Sequence, residues 1–87
     1  MKTIEYVITD PVGVHARPAG LLVKKAASYK SNIMLKNMET GKSADAKRIM
    51  SVMSLGVKQG NKIELSIEGE DEDAASSGLE DFLKENL

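Results

Sequence analysis

The segment Lys62–Glu68 reads KIELSIE, with Ile63, Leu65 and Ile67 set apart by polar residues. A side-chain period of two belongs to a strand, and an apolar set on one face calls for a sheet that is covered on one side and wet on the other. Thr3–Thr9 (TIEYVIT) repeats the pattern: Ile4, Tyr6 and Ile8 oppose Thr3, Glu5 and Thr9, and only Val7 breaks it. Asn32–Asn37 and a shorter Lys42–Ala46 flank Glu39-Thr40-Gly41 and read as a hairpin. The covering layer announces itself by a change of period. From Ala16 to about Tyr29, Ala19, Leu22, Val23 and Ala26 fall at helical spacing, and Pro18 is tolerated only if the helix begins near Ala16. Arg48–Leu55 reads as a short helix stopped by Gly56. Glu70–Asp73 supplies acids to the first turn of a last helix with the apolar stripe Leu79, Phe82 and Leu83. The order is β-α-β-β-α-β-α, an α+β chain whose four-stranded antiparallel sheet is covered on one face by three helices. Its 87 residues allow one core and hence one domain, 1–87.

Composition removes several function classes. The absence of cysteine excludes disulfides, thiolate chemistry and cysteine-type zinc sites. A single histidine argues against a histidine-built metal centre, so neither metal nor cofactor is expected. No stretch approaches the roughly 18 apolar residues of a membrane span, and MKTIEYVITD is no signal peptide. A cytoplasmic protein without direct membrane insertion is expected. Charge is unevenly placed: residues 1–60 carry ten Lys/Arg against four Asp/Glu, and residues 61–87 carry two against nine. The basic part suits an anionic ligand or acidic partners. Nucleic acid is disfavoured, because there is no basic run and only Tyr6, Tyr29 and Phe82 are aromatic.

The one histidine lies in Gly13-Val14-His15-Ala16-Arg17-Pro18, where the strand pattern gives way to the helical one. Most histidines at such junctions are structural. Here the neighbours argue otherwise. With His15 as N-cap, the amides of Ala16 and Arg17 are orphan donors at the positive end of a helix, which is an anion site. Arg17 adds a permanently charged donor fork suited to phosphate, Pro18 rigidifies the turn, and Gly13 permits a tight approach. Imidazole, with a reference pKa of about 6.5, is an available nucleophile near neutral pH. The chain has no Walker-type glycine loop, no paired carboxylates near His15 and too little length for a substrate cleft. A phosphorylated histidine without a substrate pocket describes a carrier, not a stand-alone enzyme. In Arg48–Leu55, Val52 and Leu55 can share the inward face, which turns Ile49, Met50 and Met53 to solvent as an adaptable apolar surface.

GVHARPAG at Gly13–Gly20 resembles the phosphohistidine signature of the HPr family, the phosphocarriers of the bacterial phosphoenolpyruvate-dependent sugar phosphotransferase system. KRIMSVMSLG at Lys47–Gly56 resembles the family's second helix, and Gln59-Gly60 and Gly69-Glu70-Asp71 fit as well. The resemblance runs end to end. It implies an open-faced β-sandwich. It also implies a relay in which Enzyme I charges the histidine from phosphoenolpyruvate and the A domains of sugar-specific Enzymes II discharge it. On this resemblance His15 is the acceptor through its δ nitrogen, with Arg17, the Ala16 amide and Pro18 supporting the phosphoryl group and its turn. Gly20, Ile49, Met50 and Met53 correspond to the docking patch, and Lys24, Lys47 and Arg48 to its electrostatic rim, on a carrier expected to be a monomer.

One position departs from the pattern. In many relatives a serine at the position of Arg48 is phosphorylated by a dedicated kinase, whereas arginine offers no hydroxyl. Regulation by that kinase is therefore not expected. Two other readings keep the fold: a carrier of the nitrogen-related branch, and a non-catalytic regulatory module of HPr type. The histidine counts against the second.

Overall fold

A computed structural model describes residues 1–87. Its elements are β1 (Lys2–Val7), α1 (Ala16–Ala27), β2 (Asn32–Asn37), β3 (Ser43–Asp45), α2 (Ile49–Ser54), β4 (Lys62–Glu68) and α3 (Glu72–Asn86). The strands form one antiparallel sheet in the order β1-β4-β2-β3. Register follows from the alternation. Ile4, Leu65, Leu35 and Ala44 lie opposite one another across all four strands and face the helices. Glu5, Glu64, Lys36 and Ser43 form the neighbouring row on the open face. The core between sheet and helices is aliphatic, built on Leu22, Ile33, Leu35, Ile63, Leu65, Ile67, Val52, Leu79 and Leu83. Tyr29 and Phe82 pack at its margin. No helix is long and apolar enough to cross a membrane.

Several boundaries differ from the sequence expectation, each for a visible reason. β1 ends at Val7; Ile8 beyond it packs into the core, and its amide donates to the Asn61 carbonyl at 3.0 Å in the loop before β4. α1 ends at Ala27, since the amides of Ser28 and Tyr29 close back on Lys25 and Ala26 in a tightened last turn. α3 starts only at Glu72. Glu70 lies ahead of the helix, and Asp71, its N-cap residue, makes no side-chain capping bond because its carboxylate is engaged elsewhere. Asp71 accepts the amides of Lys30 and Ser31 at 2.8 and 2.9 Å and the Ser31 hydroxyl at 2.5 Å. These bonds, led by that of the Ser31 hydroxyl, hold the Asp71 carboxyl below the usual carboxylate range.

Candidate functional site

The site forms where the chain leaves the sheet and enters α1. The Asp10 carbonyl accepts the Gly13 amide at 3.0 Å, closing a turn at whose end Gly13 adopts φ +76°. A β-carbon there would lie 2.6 Å from the Val57 carbonyl oxygen. Glycine is therefore needed twice, for its backbone angle and for the close approach. The next amide, of Val14, donates to that same carbonyl at 3.1 Å, fixing the loop against residues 57 and 58. His15 then caps α1 in an extended conformation, its carbonyl accepting the Ala19 amide at 2.9 Å.

The His15 side chain makes no capping hydrogen bond, and the half-buried ring is left accessible. The amides of Ala16 and Arg17 have no acceptor, because the helix supplies none in its first turn and no side chain reaches them. Pro18, in the same turn, has no amide to satisfy and is buried. Arg17 is exposed and takes part in none of the ion pairs. His15, Arg17, Pro18 and Leu21 line a depression of about 230 Å³ together with Asp10, Glu85 and Asn86. That is room for a phosphate-sized group, not for an enclosed organic substrate.

The remaining candidates divide into two groups. Ile49 packs across α1 at its second turn, where its Cδ1 would lie 3.6 Å from a β-carbon on Gly20. Ile49, Met50 and Met53 are 40%, 78% and 40% exposed, while Val52 and Leu55 turn inward. α2, which carries these apolar side chains, thus packs beside the helix that His15 caps and that includes Gly20. The lysines lie farther along. Lys24 lines a separate groove with Leu21, Lys25, Ser28 and Phe82. The Lys47 ammonium donates to the Tyr29 carbonyl at 2.9 Å, past the opposite end of α1. A 12-residue helix is about 18 Å long, so the structure does not gather Lys47 with His15. Arg48 caps α2 without a side-chain bond and reaches Asp45 only at 3.9 Å.

Sequence reasoning missed the acidic lining. Asp10 stands five residues before His15 and Glu85 lies on another helix, and no local pattern links either to the histidine. It also missed two exposed apolar residues beside the site, Val12 and Leu21.

Known proteins resemble this chain over nearly its whole length. A family model described as the PTS HPr component phosphorylation site matches residues 2–85. The chain belongs to the HPr family. It is 46% identical over 85 residues to the phosphocarrier protein HPr of Lysinibacillus sphaericus, covering 98% of this chain and 94% of that one. With HPr of Mycoplasma pneumoniae it shares 38% identity over 86 residues, 99% of this chain and 97% of the relative. The crystal structure of HPr-C-His from Thermoanaerobacter tengcongensis superposes with a TM-score of 0.89 at 43% identity, covering 97% of this chain and 92% of that one. The open-faced sandwich is the fold of this phosphocarrier family.

Proposed function

We propose that this chain relays phosphoryl groups through His15, taking them from phosphorylated Enzyme I and giving them to the A domains of sugar-specific Enzymes II. The relay serves phosphoenolpyruvate-dependent sugar uptake in the cytoplasm, with the carrier acting as a monomer. The observation that carries the proposal is the pair of unbonded amides, Ala16 and Arg17, at the helix end capped by His15. In this reading the lone pair of the His15 δ nitrogen attacks phosphorus. A nitrogen–phosphorus bond forms as the donor's bond to phosphorus breaks and its electron pair returns to the donor. Discharge runs the same exchange toward the acceptor. The negative charge gained on His15 meets two amide dipoles, the helix end and the Arg17 guanidinium. Ile49, Met50 and Met53, with Gly20, form the face on which successive partners seat, and their mixed aliphatic and thioether surface accommodates more than one shape. Lys24 and Arg48 add charge at its rim, and Lys47 contributes only at the far end of α1.

Incubation with Enzyme I and phosphoenolpyruvate tests the relay. One acid-labile phosphate per chain is expected, absent in His15→Ala, and passage to an Enzyme II A domain should follow. Failure of the wild-type chain to take phosphate would end the proposal. Arg48 leaves no hydroxyl at the kinase position, so purified HPr kinase with ATP should transfer nothing to serine; phosphoserine at Ser51 or Ser54 would contradict this.

A further inference from the structure

Building on the carrier reading of His15, we infer that Asp10 is a positioning residue for that histidine. The tip of the loop that delivers His15 is not held by packing, since Pro11 is exposed and Val12 is 67% exposed. It is held by hydrogen bonds that converge on Asp10. The Asp10 Oδ1 accepts the Val12 amide at 2.9 Å, and the Asp10 carbonyl accepts the Gly13 amide at 3.0 Å. Together they make an Asx turn nested in a β-turn. The Asp10 amide donates to the Leu87 carbonyl at 3.0 Å, fastening the turn to the end of α3. That same carbonyl accepts the Thr9 amide and hydroxyl at 2.7 and 2.9 Å. From the turn the chain passes straight to the histidine, whose amide donates to the Gly13 carbonyl at 3.1 Å.

Beyond Gly13 the Val57 carbonyl holds the loop from the other side. His15 therefore has two supports, and on the Asp10 side the backbone bonds are joined by one side-chain acceptor, the Asp10 carboxylate at the tip of the turn. Asp10 also lines the depression with His15 and Arg17, and it forms no ion pair. A negative charge there opposes an arriving phosphoryl group. The carboxylate thus acts as a hydrogen-bond acceptor, and its charge is dispensable to the role.

This separates two variants. Asp10→Asn keeps an acceptor oxygen at the turn and removes the charge; Asp10→Ala removes both. Phosphoryl transfer from phosphorylated Enzyme I, measured with carrier below saturation, should slow about fivefold in Asp10→Ala, as expected for loss of one hydrogen bond that selects the competent loop. In Asp10→Asn the rate should equal or exceed that of the wild type. NMR spectra of the unphosphorylated proteins should show displaced His15 ring signals in Asp10→Ala and native ones in Asp10→Asn. A wild-type rate in Asp10→Ala, or no rescue by asparagine, overturns the inference. Were the wild type itself to take no phosphate, the carrier reading would fall. The His15 ring signals would still decide whether Asp10 holds the loop, native signals in Asp10→Ala overturning it.

Discussion

The two ends of α1 are treated in opposite ways. Past its C-terminal end, the Tyr29 carbonyl accepts the Lys47 ammonium, and the amides of Lys30 and Ser31 with the Ser31 hydroxyl are all taken by Asp71. Two distant segments thus close that end. At the N-terminal end the cap residue makes no side-chain bond, two amides lack acceptors and Arg17 is unpaired. One end is committed to stability. The other is held by hydrogen bonds through Asp10, Gly13 and Val57 and leaves its first-turn donors free. A helix can thus serve as both anchor and anion site, provided its two ends carry different residues.

The contrast can be broken from either side. The largest effect should come from Gly13→Ala, which places a side chain at φ +76° and a β-carbon 2.6 Å from a backbone oxygen. A loss of about 3 kcal/mol in denaturant unfolding is expected, together with disordered signals around His15. Asp71→Ala should destabilise the closed end in a pH-dependent way. The native Asp71 carboxyl sits below its ordinary value, so its contribution is full above about pH 4, the unfolded value, and is lost as the pH falls through the native one. The stability gap between wild type and variant should therefore be constant near neutrality and shrink in acid; a gap independent of pH would show that the carboxylate is not the source. The smallest effect should be a gain. His15→Asp installs a good N-cap, and about 1 kcal/mol of added stability is expected alongside complete loss of phosphorylation. A loss of stability instead would mean that the histidine is itself part of the anchor.

Local pattern made most of the fold readable. The alternation in Lys62–Glu68 and the helical spacing of Ala19, Leu22 and Ala26 reflect burial against one face, and burial is what these segments do in the structure. The inward Val52 and Leu55 were legible for the same reason, as were the outward Ile49, Met50 and Met53. The core of the candidate site was equally local, because His15, Arg17 and Pro18 lie within four consecutive positions of one helix start. What escaped was set by contacts across the fold. Asp71 reads as one of the acids in the first turn of α3, yet it bonds Lys30 and Ser31 some 40 positions earlier. Lys47 reads as part of the charged rim of the docking patch, and only the folded chain brings its ammonium to the Tyr29 carbonyl. Asp10 belongs by spacing to a turn, and only the folded chain brings it beside His15, against α3.

The claim at the centre is that phosphate, once on His15, is received by the open end of α1. Amide proton and nitrogen NMR shifts of the chain before and after phosphorylation by Enzyme I test it directly. The Ala16 and Arg17 amides should show the largest downfield proton shifts, as donors that gain a charged acceptor. Lys30 and Ser31, already bonded to Asp71, should scarcely move. Unmoved amides at Ala16 and Arg17, or shifts as large at Lys30 and Ser31, would contradict the account.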